Sequence, residues 1–187
     1  MIQLPTSRNS SLYRGVFLVG FMGCGKTTVG EILSRLLGWR FEDLDSRIHA
    51  REGRTIPEIF GNHGEARFRQ IERESLLELV GEMASRPTVA ALGGGTFVQP
   101  ENRRILQDSG VPAIFLDAPV EDLWERCRST EPERPLAKDK NQFRQLYEGR
   151  RSLYMEAAAT IDTSGKHAEW VAAEIASWLQ TNLSKER

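Results

Sequence analysis

Eight consecutive residues, Gly20-Phe21-Met22-Gly23-Cys24-Gly25-Lys26-Thr27, have the types and spacing needed to hold a chain of phosphates. They fit the pattern G-x-x-x-x-G-K-[ST] at every fixed position, after the apolar run Val16-Phe17-Leu18-Val19 and before an amphipathic segment. Glycines let the backbone curl so that successive N–H groups point inward, and the helix that follows adds its positive N-terminal dipole at the same spot. A triphosphate suits such a ring of donors. Lys26 then sets an ammonium on the β- and γ-phosphates, and the Thr27 hydroxyl ligates the Mg²⁺ that travels with them. The alternative is a glycine-rich turn with an incidental lysine, and pattern and flanks together argue against it.

Two further places invite chemistry. Trp39-Arg40-Phe41-Glu42-Asp43 reads as a short strand ending at the acids Asp43 and Asp45, and strand-end acids of a parallel sheet lie in the crevice where its ligands bind. Thr88-Val89-Ala90-Ala91-Leu92 reads as a buried strand closed by Gly93-Gly94-Gly95, where backbone rather than side chain faces the occupant.

The elements that must position these residues follow from periodicity. Val29, Ile32, Leu33, Leu36 and Leu37 recur at helical spacing from Thr27 to Leu37, with Gly38 as a stop. A helical pattern spans Ser46 to Arg51, another starts at Thr55, and a long one runs from Gly64 to Val80. In that last helix Phe68, Ile71, Leu76, Leu79 and Val80 face the core, and Glu65, Arg69, Glu72 and Arg73 the opposite side. Pro100 to Ser109 and Val120 to Ser129 read as helices around the strand Ala113-Ile114-Phe115-Leu116. Thr130 to Lys140 breaks all periodicity, with two prolines and six charged residues in eleven positions, and reads as an exposed segment able to move. Helix resumes from Asn141 to Ala159, Thr160-Ile161-Asp162 is a last strand, and Glu169 to Leu183 a last helix. Strands alternate with helices, so the expected fold is α/β, a three-layer α/β/α sandwich around a mostly parallel five-stranded sheet.

The 187 residues suit one α/β domain, over 12–187, after a loosely docked extension at 1–11. A net charge of −1 provides no global field for nucleic acid or an anionic membrane. Arginine outnumbers lysine by 20 to 5, so no single arginine is singled out without support from its position. Two cysteines, Cys24 and Cys127, are too few for a disulfide framework, which makes a reducing cytoplasm the default. No stretch approaches the length of a membrane span. The histidines His49, His63 and His167 lack metal-ligand spacing, and the tryptophans at 39, 124, 170 and 178 fall on apolar faces where core packing is expected.

The phosphate loop alone does not choose among motor ATPases, GTPases and small-molecule kinases. A motor ATPase ends a second buried strand in an acid, but here that strand ends in glycines; the Asn-Lys-x-Asp guanine-reading element of GTPases is absent. Acids after the second strand, a glycine turn after the third and a charged flap are the parts of a kinase that closes over a small acceptor and excludes water.

These residues carry a resemblance. Gly20 to Gly30 (GFMGCGKTTVG), Phe41-x-Asp43-x-Asp45, Phe68-Arg69-x-x-Glu72, Gly93-Gly94-Gly95, Arg134-Pro135-Leu136 and Arg150-x-x-Leu153-Tyr154 occur in the order found in shikimate kinases, from about Gly15 to Asp162. The chain thus resembles that family, and the resemblance implies a P-loop fold with a mobile lid at about 130–140. It also implies Mg²⁺-dependent transfer of the ATP γ-phosphate to the 3-hydroxyl of shikimate, a step of chorismate and aromatic amino-acid biosynthesis.

The same resemblance assigns residues. Gly23, Cys24, Gly25, Lys26, Thr27 and Thr28 would bind the nucleotide, with Thr27 and Asp43 on the metal side. Asp45 would hold the acceptor hydroxyl and either orient it or take its proton, an effect typically worth ~10²–10⁴-fold; the alternative role is to cap the helix that follows. Arg69, oriented by Glu72, and Arg150 would grip the acceptor carboxylate alongside Gly93, Gly94 and Gly95. A surface ion-pair ladder is the alternative for Arg69, and Arg151 is the fallback for Arg150. Lys26, Asp45 and Arg134 form the catalytic set, with Arg134 swinging onto the phosphates as the lid closes. Arg128 and the Thr163-Ser164-Gly165-Lys166 turn stand where the family contacts adenine. Cys24 reads as a small filler whose thiol, near a helix N-terminus, is a candidate for alkylation. A monomer binding ATP and shikimate is expected; the rivals are a kinase for a gluconate-like or nucleoside monophosphate acceptor and a non-catalytic nucleotide-binding module.

Overall fold

A computed structural model describes residues 14–129 and 139–183. Five strands form one sheet: β1 (Gly15–Val19), β2 (Arg40–Asp43), β3 (Thr88–Ala91), β4 (Ala113–Asp117) and β5 (Ala159–Asp162). Their order is β2-β3-β1-β4-β5 and every pairing is parallel. The expectation of a mostly parallel sheet is thereby tightened to an all-parallel one. Helices α1 (Lys26–Leu37), α2 (Leu44–Glu52), α3 (Ile56–Met83), α4 (Pro100–Asp108), α5 (Val120–Arg128), α6 (Lys140–Tyr154) and α7 (Ala168–Leu183) provide the connections.

The central strands β1, β3 and β4 are buried and almost wholly apolar, with only Thr88 at the start of β3 and Asp117 at the end of β4 polar, because helices cover both faces. Register pairs Leu18 with Ala91 and Val19 with Phe115, which brings the C-terminal ends of β1 and β3 level while β4 runs on to Asp117. The loops leaving those ends, carrying Gly20–Gly25 and Gly93–Gly95, therefore lie side by side. The Leu92 N–H donates to the Leu18 carbonyl at 3.0 Å, extending the ladder into the glycine turn.

Two helical patterns expected around Gly64 form one helix with a break, since Gly64 has φ 75° and ψ 172° inside α3. Thr55 opens that helix with a capping box, its hydroxyl accepting from the Glu58 N–H while the Glu58 carboxylate accepts from the Thr55 N–H. Helix α6 stops at Tyr154, short of the Ala159 expected, because Ala159 is already paired into β5. Phe68, Ile71, Leu76 and Leu79 are buried as expected, but so is Glu72, which periodicity had placed on the open side. Trp124 is buried, whereas Trp170 is 73% exposed and does not pack in the core.

Candidate active site

The phosphate loop is held open by its own lysine. Lys26 Nζ donates to the carbonyls of Gly20 at 2.8 Å and Phe21 at 3.0 Å and lies 3.6 Å from Cys24 Sγ. Gly23 has φ 81°, and a methyl there would lie 2.8 Å from Cys127 Sγ and 2.9 Å from the Leu123 carbonyl. Only glycine lets the loop run this close to α5. Cys24 is 1% exposed, so its thiol is a packing group here and not the alkylation site anticipated.

Thr27 and Asp43 meet directly, the Thr27 hydroxyl donating to Asp43 Oδ2 at 3.0 Å. Asp43 Oδ1 accepts the Ser46 N–H at 3.1 Å, so Asp43 caps α2 and Asp45, in the first turn, does not. Among the described residues no cluster of three His, Cys, Asp or Glu is arranged to enclose a metal. A hydroxyl and a carboxylate converging at the phosphate loop instead match Mg²⁺, which keeps several waters and takes its remaining oxygens from one or two carboxylates and substrate phosphates.

Across the sheet edge from the phosphate loop, each of the three adjacent glycines abuts a different candidate side chain. A methyl on Gly93 would lie 2.6 Å from Asp45 Oδ1, and one on Gly95 would lie 2.8 Å and 2.9 Å from the two terminal nitrogens of Arg69. Gly94 faces Arg150, whose Nη1 donates to the Gly94 carbonyl at 3.3 Å, and it also borders the Gly20 carbonyl of the phosphate loop. The Tyr154 hydroxyl donates to that same Gly94 carbonyl, and burial raises the phenol above the ordinary tyrosine range. Arg151 points elsewhere and pairs with Asp117 at 2.6 Å, so Arg150 is the arginine at the glycine turn.

Arg69 is braced from two sides. It pairs with Glu72 at 2.9 Å and with Glu65 at 3.2 Å. Glu72 is 1% exposed, and such a carboxylate is tolerated only with partners. Besides Arg69 it accepts from the Thr96 hydroxyl at 2.7 Å and from Asn102 Nδ2 at 3.5 Å, while Asn102 also donates to the Thr96 carbonyl at 3.1 Å. The buried acid thus ties α3 and α4 to the end of the glycine turn.

Comparison with known proteins bears directly on this arrangement. The family model for shikimate kinase matches residues 22–180. Shikimate kinase of Persephonella marina is 38% identical over 162 residues, covering 87% of this chain and 96% of that protein; the Geobacter sulfurreducens enzyme is 42% identical over 170 residues, covering 89% and 91%. The chain belongs to the shikimate kinase family. It is accordingly an ATP-dependent phosphotransferase. Among solved structures, shikimate kinase from Acinetobacter baumannii in complex with shikimate superposes with a TM-score of 0.83 at 36% identity, covering 92% of this chain and 96% of that one. A gluconokinase from Sinorhizobium meliloti, at 18% identity and a TM-score of 0.59, shares the fold alone.

In this shikimate kinase family member, Lys26, Thr27, Asp43, Asp45, Arg69, Gly93, Gly94, Gly95 and Arg150 gather at the C-terminal edge of the sheet. Arg134 and most of the segment expected to form a lid lie outside the described residues, as does the expected extension at 1–11. Arg128 is exposed at the end of α5, while the neighbouring Arg126 reaches the expected adenine-side turn, donating to the Thr163 hydroxyl at 3.3 Å and its carbonyl at 3.1 Å. Thr163 in turn donates to the Asp117 carbonyl at 3.0 Å, and Lys166 pairs with Glu174 at 2.8 Å. Sequence reasoning missed Arg126, Thr96 and Asn102. For Glu72 a signal existed, since it lies four residues after Phe68 and four before Leu76, on the stripe that turns inward.

Proposed function

We propose that the chain transfers the ATP γ-phosphoryl group to the 3-hydroxyl of shikimate, with Asp45 on the hydroxyl and Arg69 and Arg150 on the carboxylate. The observation that carries this reading is the meeting of Asp45, Arg150 and Arg69 at three successive glycines, the middle one of which borders Gly20 of the phosphate loop. A carboxylate and two guanidinium groups spread along that turn suit a molecule bearing hydroxyls at one end and a carboxylate at the other.

Loop amides from Gly23 to Thr28 and the Lys26 ammonium would hold the phosphates, Lys26 leaving the Gly20 and Phe21 carbonyls to do so. Thr27 and Asp43 would hold Mg²⁺, whose charge supports the phosphate oxygens as negative charge shifts toward ADP. Asp45 would accept the hydroxyl proton as the acceptor oxygen bonds to the γ-phosphorus. The bond from that phosphorus to the β–γ bridging oxygen breaks with its electron pair departing on ADP. Arg134, in a lid at about 130–140, would close over the phosphates and exclude water, and Arg128 with the Thr163–Lys166 turn would border the adenine. One kinase domain over 12–187, acting as a cytoplasmic monomer without nucleic-acid partners, completes the proposal. Its setting would be chorismate and aromatic amino-acid biosynthesis.

ADP release in a coupled assay, with shikimate, gluconate and nucleoside monophosphates each compared against ATP alone, tests the acceptor. Turnover with shikimate only is expected. Preferential turnover with another acceptor, or a rate independent of acceptor, would sink the assignment.

A further inference from the structure

We infer that Phe21, a residue of the phosphate loop, is a positioning residue that couples the nucleotide to the arginine on the acceptor's carboxylate; this rests on the role given to Arg150 above. The loop pattern leaves position 21 open to any residue. Here the ring is fully buried. It meets Phe143 edge-on, with centroids 5.0 Å apart at 85°, and Tyr147 at 5.6 Å and 79°. Both belong to α6, the helix that carries Arg150. The Arg150 guanidinium carbon stands 5.9 Å from the Phe21 centroid, over the ring, within reach of a cation–π attraction.

The backbone of the same residue holds the other cation, since the Phe21 carbonyl accepts from Lys26 at 3.0 Å. One residue therefore touches the lysine of the phosphate side through its carbonyl and the arginine of the acceptor side through its ring. An ammonium has three protons to donate, so phosphate oxygens compete for Lys26 with the Gly20 and Phe21 carbonyls. As that grip changes, the peptide carrying the ring resettles, and the tightly packed edges against α6 pass the change to Arg150. Linkage makes the effect mutual: nucleotide changes acceptor affinity by the same factor as acceptor changes nucleotide affinity.

Calorimetric titration of the full chain with shikimate, with and without saturating Mg-ADP, measures that factor. Wild type is expected to show a change of at least ~5-fold. Phe21→Leu, which keeps apolar bulk but removes the ring, should bring the factor to within about twofold of unity. Phe143→Leu leaves the loop sequence intact and should lower the factor to an intermediate value; it decides the matter if a thermal melt shows Phe21→Leu unfolded. Arg150→Ala is the control, expected to weaken shikimate alone by roughly tenfold or more. If Arg150→Ala weakens shikimate but coupling is absent from wild type, or keeps its wild-type factor in the Phe21 or Phe143 variant, the inference fails and the Arg150 assignment stands. If Arg150→Ala binds shikimate normally, the assignment fails and takes the inference with it.

Discussion

The two halves of the site are built by opposite means. On the nucleotide side, one unbroken stretch from Gly20 to Thr27 makes a cradle of backbone, and its lysine is held by carbonyls of the same loop. Across the Gly93–Gly95 turn, the proposed acceptor side is made of side chains delivered by α2, α3 and α6, elements separated by more than a hundred residues of chain between Asp45 and Arg150. A backbone cradle survives most side-chain changes provided its glycines remain. A side-chain clamp fails one residue at a time, each with its own kinetic signature.

The comparison breaks most visibly at Asp45, where chemistry is separable from nucleotide binding. Asp45→Asn preserves shape but cannot take a proton, so kcat should fall at least ~100-fold while ATP affinity stays near wild type. Steady-state kinetics with a parallel ATP-binding titration read both quantities. Near-normal turnover in this variant would remove Asp45 from the proton transfer.

Smaller, and different in kind, is the effect expected at the carboxylate clamp. Arg69→Ala should raise the shikimate KM by about 10–100-fold, the worth of a charge-assisted pair, with the ATP KM little changed. Glu72→Ala sharpens this further, because it leaves Arg69, Thr96 and Asn102 without their shared acceptor. Losing one partner of a buried pair should lower stability by roughly 3 kcal/mol and raise the shikimate KM through a misplaced Arg69. A variant that melts early yet keeps its KM would show that Glu72 supports the fold without orienting the arginine.

What the sequence revealed follows the same division. The cradle could be read in full because a local backbone shape has a local spelling, and strand–helix alternation was enough for an α/β sheet. Asp45 was singled out as a strand-end acid, but Arg69 and Arg150 were singled out only through the ordered family motifs, since nothing in their spacing brings α3 and α6 to one turn. The brace behind Arg69 was less legible still. Thr96 and Asn102 meet Glu72 only because α3 and α4 pack across the glycine turn, a contact of the folded chain with no periodic trace. Trp170 misled in the other direction, being apolar in type yet left in solvent at the start of α7. Which of the two acids caps α2 was visible only in the fold, where Asp43, extended at φ −107°, accepts the Ser46 N–H.

Least in size is the prediction for the ion-pair ladder that links β2 and α2 to α3. Glu82 on α3 pairs with Arg40 of β2 at 2.7 Å and with Arg47 of α2, and Arg51 of α2 pairs with Glu74 at 3.0 Å and Glu78 at 3.1 Å on α3. Hydrogen bonds from Arg47 and then Arg40 hold the Glu82 carboxyl down to about 2, against an ordinary 4.5. A depressed carboxylate contributes stability that is complete above pH 4.5 and is lost as pH falls toward 2. The Glu82 side chain is 41% exposed, so water and salt screen these pairs and the contribution stays at about 1 kcal/mol or less. Glu82→Gln should therefore lower the melting temperature by only a few degrees at neutral pH. It should also flatten the loss of stability between pH 4.5 and 2, and the difference from wild type should shrink in high salt. Melting curves collected across that range would show whether the ladder is a tuned spacer between the Asp45 and Arg69 helices or only surface charge, because a variant whose acid limb matches wild type gives Glu82 no part in holding them together.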